Sequence, residues 1–425
     1  MCDLSSAAKR ARTGTLTRRS VLLWGAASVA CSGGGSGDDS GRGGSAGGPT
    51  GPTGRDPNAV AVVPAGSYDA AVVNASMAQL FDLLGDVRGL VQGKTVTIKP
   101  NLVGYPFSRA AGRPPEETYI THGATVLALV NLLVRDGASR VRIVESFGST
   151  DRFEDIIASA NWDVQALQAA GVEFEDTRNM GLGNGYAQIA VPGTPALYTY
   201  FEVNRSYVDT DVFISLTKMK NHDIGGVSLS MKNLFGITPL SLYGDQTDLG
   251  ERALGYRGPS MHDGNDGVNA PLPGEMPGGG NDRNARVPKI IVDQVAARPV
   301  DLAIVAAIGG LSGAEGPWSP DPVGATSPGL LIGGWNPVAT DAVAMSIMGY
   351  DPLASDGTGP FPGLNHIAMA HARGLGVLAG HAADRRHQQR HQDCDDGEHD
   401  RGSRQARCLA ELPQKHGVRT LKLGV

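Results

Sequence analysis

Between Asn58 and Leu378 short apolar runs alternate with stretches of helical periodicity. Ala59–Val63, Thr95–Lys99, Val141–Glu145, Val172–Phe174, Val212–Leu216, Leu302–Ala307 and Leu330–Gly333 read as strands: brief, mostly apolar, and bounded by Gly, Pro or polar residues. Met77–Val91 puts Leu80, Leu83, Leu84 and Val87 on one stripe and is predicted helical. Ala124–Arg135, Trp162–Ala170, Lys289–Ala297, Pro337–Met348 and Asn365–Ala372 are predicted helical too. Gln188–Val191 and Tyr198–Val203 flank a Pro-Gly-Thr-Pro turn and predict a hairpin. This alternation implies an α/β fold, a mostly parallel sheet with helices on both faces, in one core domain over residues 58–378. Residues 238–286, rich in Gly, Pro, Asn and Asp, are expected to form a long surface insertion, able to act as a lid.

The flanks have other patterns. Residues 1–30 join a basic start (Lys9, Arg10, Arg12) to a ten-residue apolar run, Val21–Ala30, too short to span a bilayer. Thr17-Arg18-Arg19-Ser20-Val21-Leu22-Leu23 resembles a twin-arginine export signal, with Arg18 and Arg19 as the pair the export machinery would read. Ser28-Val29-Ala30-Cys31 resembles a lipoprotein cleavage box, with Cys31 as the lipidated residue. These resemblances imply a periplasmic or cell-envelope protein, exported folded and anchored to a membrane if Cys31 is modified. Residues 31–57 lack large apolar side chains and are expected to form a flexible Gly/Ser-rich tether. From Ala379 to Arg407 there is no Val, Ile, Leu, Met or aromatic residue, so 379–425 is expected to be a disordered tail. Its His391, Cys394, His399 and Cys408 fit no compact zinc finger.

Charge and cysteine usage narrow the function. The chain carries a net charge of −6, and its first thirty residues hold five Lys/Arg against one Asp, so the remainder is more acidic still. Such a surface argues against nucleic acid as a partner. All four cysteines lie in the flanks, so no cysteine-ligated iron–sulfur cluster is expected in the core; the residues leave any other cofactor unknown.

The chemistry concentrates in residues 211–236. An apolar strand runs into Lys218, Lys220 and His222, a Gly225-Gly226 break follows, and a short helix carries Lys232 and Asn233. Crowded cations at a strand end repel one another and are costly to desolvate, so something negative is expected beside them. Lys99-Pro100-Asn101 and Glu145-Ser146 end two other strands. Ligands of open parallel sheets bind outside the carboxyl ends of the strands, which would gather these groups at one edge. Thr121 is placed to cap the helix that follows and to turn its N-terminus toward the same site.

These motifs resemble the family known as domain of unknown function 362. The matching residues are Lys99-Pro100-Asn101, Thr121-His122, Glu145-Ser146, Lys218-x-Lys220-Asn221-His222, Lys232-Asn233-Leu234-Phe235-Gly236, Gly313-Ala314-Glu315-Gly316-Pro317 and Asn336 to Val343, which includes Asp341. Asn221 stands where Thr is common in the family, and the cluster cysteines of some relatives are lacking. The residues and the resemblance together suggest a pocket for an anionic small molecule bearing phosphate or carboxylate. In it Lys218 or Lys220 holds the anion, His222 or His122 moves a proton, and Asn101 and Asn233 orient the substrate. Lys99, Glu145, Ser146, Lys232, Glu315 and Asp341 complete the binding set. Two alternatives stand beside this: a non-catalytic binding or assembly lipoprotein, and a metal-dependent enzyme using His122, His222, Glu145, Glu315 and Asp341.

Overall fold

The central strand of the molecule is eleven residues of unbroken burial, Val212–His222. A strand buried on both faces needs apolar cover above and below, which an α/β arrangement provides. The computed structural model describes residues 56–149, 151–179, 185–244, 257–264 and 272–378. In chain order the elements begin β1 (Val60–Pro64), α1 (Ala70–Leu84), α2 (Val87–Val91), β2 (Thr95–Lys99), α3 (Pro115–Thr118), α4 (Gly123–Arg135), β3 (Arg140–Glu145), α5 (Phe153–Ser159), α6 (Val164–Ala169) and β4 (Val172–Asp176). They continue with β5 (Tyr186–Ala190), β6 (Tyr200–Asn204), β7 (Val212–His222), β8 (Gly226–Ser228), α7 (Ser230–Asn233), α8 (Leu240–Tyr243), α9 (Arg283–Ala297), β9 (Leu302–Ser312), β10 (Gly324–Thr326), β11 (Leu330–Gly334), α10 (Pro337–Ile347) and α11 (His366–Ala372).

The main sheet has the order β1-β11-β9-β7-β2-β3-β4, with β8 added to β7 and β10 to β9; β5 and β6 pair separately as a hairpin. From β9 to β4 every neighbour is parallel, and β1 and β11 are antiparallel at one edge. The pleat explains the layers. Val212, Ile214 and Leu216 of β7, with Leu302, Ile304 and Ala306 of β9, pack into the core that α1 and α4 cover. Phe213 and Met219, with Ala303 and Val305, pack into the opposite core, covered by α9, α10 and α11. The fold is thus α/β, a mostly parallel mixed sheet between two helical layers, as the alternation predicts.

Four local outcomes differ from the sequence pattern. The predicted helix Met77–Val91 begins earlier, at Ala70, and breaks at Gly85-Asp86, where the Asp86 side chain accepts from the Gly89 amide and starts α2. α3 and α5, too short for a periodic signal, were not predicted. β7 runs six residues past Leu216, because β8 and β9 continue the ladder through the polar positions. Within the segment expected as a surface insertion, Leu240, Tyr243, Met261 and Leu272 are buried, and α9 starts inside it. Arg18, Arg19, Cys31 and the tail lie outside the described residues.

Candidate functional site

The carboxyl ends of β2, β3 and β7 border a cavity of about 750 Å³. Lys99, Asn101, Glu145 and Ser146 reach it from β2 and β3 and the residues that follow them, Lys220 and His222 from β7, and Lys232 and Asn233 from α7. Glu315 comes from the loop after β9. Nine of the twelve residues expected at the site therefore share one cavity. His122, Lys218 and Asp341 do not line it.

Each absence has a physical reason. Lys218 lies under Tyr68 and α3: its Nζ donates to the Glu116 carbonyl at 2.6 Å and to the Tyr68 hydroxyl, and sits 4.8 Å from the Tyr68 ring centre. His122 stacks on that ring, centroids 3.9 Å apart, and its Nδ1 accepts from the Ala124 amide. His122, and not Thr121, is the N-cap of α4; Thr121 Oγ1 instead accepts from the Asn101 amide and donates to the Leu216 carbonyl. No residue of α4 lines the cavity, so its N-terminus adds nothing there. Asp341 is buried behind α7, where its two carboxylate oxygens accept from the Ser230 and Met231 amides, both at 2.8 Å. It satisfies the open N-terminus of the helix that carries Lys232 and Asn233.

Within the cavity the charges divide into paired and unpaired. Lys99 Nζ lies 2.6 Å from Glu145 Oε1 with both side chains buried. Glu145 also accepts from the Leu102 and Ser146 amides, and Lys99 donates to the Pro100 carbonyl. Both members of this pair are satisfied internally. Gly236 is required beside it: a Cβ there would meet Lys99 Cε at 2.8 Å and Nζ at 2.9 Å. Asn233 donates to the Lys99 carbonyl and the Ser215 hydroxyl, so its own oxygen faces Asn101.

Lys220 donates to the Glu315 backbone carbonyl at 3.0 Å, 5.9 Å from the Tyr119 ring centre. Lys232 is partly exposed and lies 4.2 Å from the Phe235 ring centre. Among the described residues its ammonium has no hydrogen-bond acceptor and no carboxylate at ion-pair distance. Burial pushes both lysines down to about 8; Glu315 opposes this, and the neighbouring cations Lys232 for one, Arg257 and Lys99 for the other, add to it.

His222 is held differently from a proton carrier. Its Nδ1 accepts from the Ile224 and Gly225 amides, at 3.1 and 3.0 Å, so the hydrogen belongs on Nε2. Nε2 lies 2.9 Å from Glu315 Oε2, close enough for charge contact but off the line of a good hydrogen bond. Burial first, then Lys232 and Lys220, push the imidazole down, with Glu315 opposing. Burial would raise the Glu315 carboxyl, but His222, Lys220 and Lys232 outweigh it and hold it well below its usual range. The arrangement fits a neutral His222 that positions an anionic Glu315. The ring has no free lone pair with which to take a proton from a ligand.

Other lining residues escaped the sequence reading, Arg257, His262, Asp223 and Trp318 among them. Arg257 donates to Ser146 and to the Thr238 carbonyl, and His262 stacks parallel to His222 with centroids 6.2 Å apart. Both come from the Gly/Pro-rich segment, which has no periodicity to mark them. Asp223 follows His222 directly and accepts from Ser319 at 2.8 Å; Trp318 follows the Glu315 motif and donates to Glu315 Oε1. Adjacency to a motif was the available signal for these two. Among the described residues no three of His, Cys, Asp and Glu come together in a group able to hold a metal ion, so the five proposed metal ligands do not form one site.

The buried lysines set a pH dependence. Burial lowers Lys218 to about 7, and Lys220 and Lys232 to about 8, against 10.5 when unfolded. Between these values the unfolded chain binds more protons than the folded one, so stability should rise with pH. Denaturant unfolding between about pH 7 and 9 should show that rise, and Lys220→Met should make it shallower. A wild-type curve that falls over this window would contradict the desolvated state of these amines.

The fold and site define an α/β protein with a lysine-rich cavity at the carboxyl ends of its parallel strands. Residues 96–346, more than half of the chain, match the family described as domain of unknown function (DUF362), and the chain belongs to that family. It is 29% identical over 176 residues to the thylakoid-associated protein sll1697 of Synechocystis, 41% of this chain and 48% of that one. The match thus spans about half the length of that relative. Among solved structures, a Thermotoga maritima protein from a structural genomics consortium aligns with a TM-score of 0.35 and 10% identity, over 66% of this chain and 59% of its own. The lactate racemase apoprotein of Thermoanaerobacterium thermosaccharolyticum aligns with a TM-score of 0.29 and 13% identity, over 63% and 53%. Both likenesses are too distant to bear on function.

Proposed function

We propose that this is an exported, tethered protein whose cavity binds an anionic small molecule bearing phosphate or carboxylate. Lys232 carries the proposal: a half-buried residue lining the cavity, beside Lys220 and Arg257, whose ammonium has no acceptor among the described residues. Leaving a cation so placed costs solvation energy that an arriving anion would return. Lys99 and Glu145 shape the wall and are not free for the ligand. Lys220 and Lys232 hold the anion, the Glu315 carboxylate favours their protonated forms, and His222 lies against Glu315 in charge contact. If the site is catalytic, the lysines with lowered pKa are the groups able to exchange protons near neutrality.

A melting-temperature screen with phosphate, sulfate and small carboxylates tests this. A ligand at a hundred times its Kd stabilises by about 2.7 kcal/mol. The expected result is a concentration-dependent rise with at least one anion class; no rise with any of them would overturn the reading.

The location is proposed from the N-terminal motifs and is in keeping with a relative described as thylakoid-associated. Changing Arg18 and Arg19 together to Lys should leave unprocessed precursor in the cytoplasm, seen by fractionation and immunoblot. Cys31→Ala should release the protein from the membrane fraction. Normal export of the first variant, or unchanged membrane association of the second, would remove the corresponding part of the proposal.

A further inference from the structure

We infer that Lys232 is a nucleophile that forms an imine with the carbonyl of an anionic oxo compound, an oxo-carboxylate or an aldehyde- or ketone-bearing phosphate. The inference rests on the anion-binding reading above and adds the reacting group to it.

Three features of Lys232 support it. The residue is half-buried and lines the cavity, and its amine is engaged by no acceptor among the described residues, so nothing must be broken before it attacks. Its wall contact is the Phe235 ring, an apolar surface that leaves the nitrogen lone pair unused once the proton has gone. Its charged neighbours are mixed: burial lowers its pKa most, the Glu315 carboxylate opposes this, and the cations Arg257 and Lys99 add to the lowering, while Lys232 acts in turn on Lys220. Desolvation together with an adjacent positive charge is the arrangement that frees a lysine amine near neutrality. Lys99 and Lys218 lack this combination, since the first is locked to Glu145 and the second is sealed under Tyr68 and Glu116.

The chemistry balances with groups that line the cavity. The neutral Lys232 nitrogen attacks the carbonyl carbon and gives a carbinolamine. Its hydroxyl takes a proton from the Lys220 ammonium and leaves as water, forming the protonated imine; Lys220 regains its proton from solvent. The carboxylate or phosphate of the bound molecule meets the positive charge of Lys220 once it is reprotonated. The reaction consumes one carbonyl and one amine and releases one water, with no oxidant or reductant.

Reductive trapping tests this on the full-length protein. Pyruvate serves as the oxo-carboxylate probe and glyceraldehyde 3-phosphate as the phosphate probe, each with cyanoborohydride near pH 7, followed by peptide mapping. Lys94, an exposed lysine, is the internal reference. Lys232 should be labelled roughly tenfold faster than Lys94 by at least one probe, because a lowered pKa enlarges the free-amine fraction. The preferred probe distinguishes the two sources of the anion. Lys232→Arg keeps a positive charge and cannot form an imine, so it should lose the preferential adduct. Labelling of Lys232 no faster than Lys94 with both probes, or an undiminished adduct elsewhere in the cavity of Lys232→Arg, overturns the inference. Anion-induced stabilisation that persists in that case leaves the binding reading intact; its absence in the wild type ends both.

Discussion

Glu145→Gln should destabilise the protein by about 3–5 kcal/mol, the usual cost of removing one partner of a buried ion pair. The substitution keeps the volume and removes the charge, so Lys99 would lie in the wall of the cavity with no counter-ion. One side-chain oxygen would remain, while Glu145 now accepts from Lys99 and from two backbone amides, those of Leu102 and Ser146. Chemical denaturation monitored by circular dichroism reads the loss. The double variant Lys99→Met with Glu145→Gln removes the stranded cation and should recover part of it, although the Leu102 amide still lacks an acceptor. A double variant worse than either single one would show that the two residues act separately and that the pair is not the unit. The outcome also decides how far Lys99 belongs to the ligand, since an internally paired lysine contributes to the wall and not to binding.

Lys220→Met should abolish most of the anion-induced rise in melting temperature while the unliganded protein keeps or gains stability. Methionine retains the apolar stem in its buried slot and removes a desolvated charge held by one carbonyl. A wild-type protein saturated to a hundred times Kd gains about 2.7 kcal/mol, which for a domain of this size corresponds to a rise of several degrees. Lys232→Met should behave similarly. If Lys220→Met instead unfolds the protein, its ammonium is a structural partner of the Glu315 loop, and the lysine cluster is an internal network. If the variant is stable and the anion still protects it fully, the anion binds elsewhere. The first outcome would be accompanied by loss of the Trp318 contact to Glu315, detectable in tryptophan fluorescence.

The sequence determined those features that depend on neighbours along the chain. β2 begins and ends where its pattern does, because Thr95–Lys99 alternates into one face of a parallel sheet and Pro100 stops it. α4 and α10 were legible for a similar reason, each with a continuous apolar stripe and a polar cap. The gathering of Lys99, Glu145 and Lys220 at one edge was also legible, since the ends of parallel strands share a direction.

Tertiary packing decided what those residues do there. Lys218 and Lys220 are two positions apart on one strand and look equivalent in sequence. A four-residue helix and Tyr68, distant in the chain, seal the first and leave the second on the cavity. Lys99 and Glu145 are 46 residues apart, and only their approach to 2.6 Å turns two candidate ligand groups into a structural pair. His222 read as a proton carrier until the turn after it folded back and placed two amides on Nδ1. Asp341 read as a site residue, yet α10 delivers it to the backbone end of α7, not to the cavity. In each case the chemical type of a side chain is set locally, but its availability depends on which distant groups reach it first, and linear order carries no record of that.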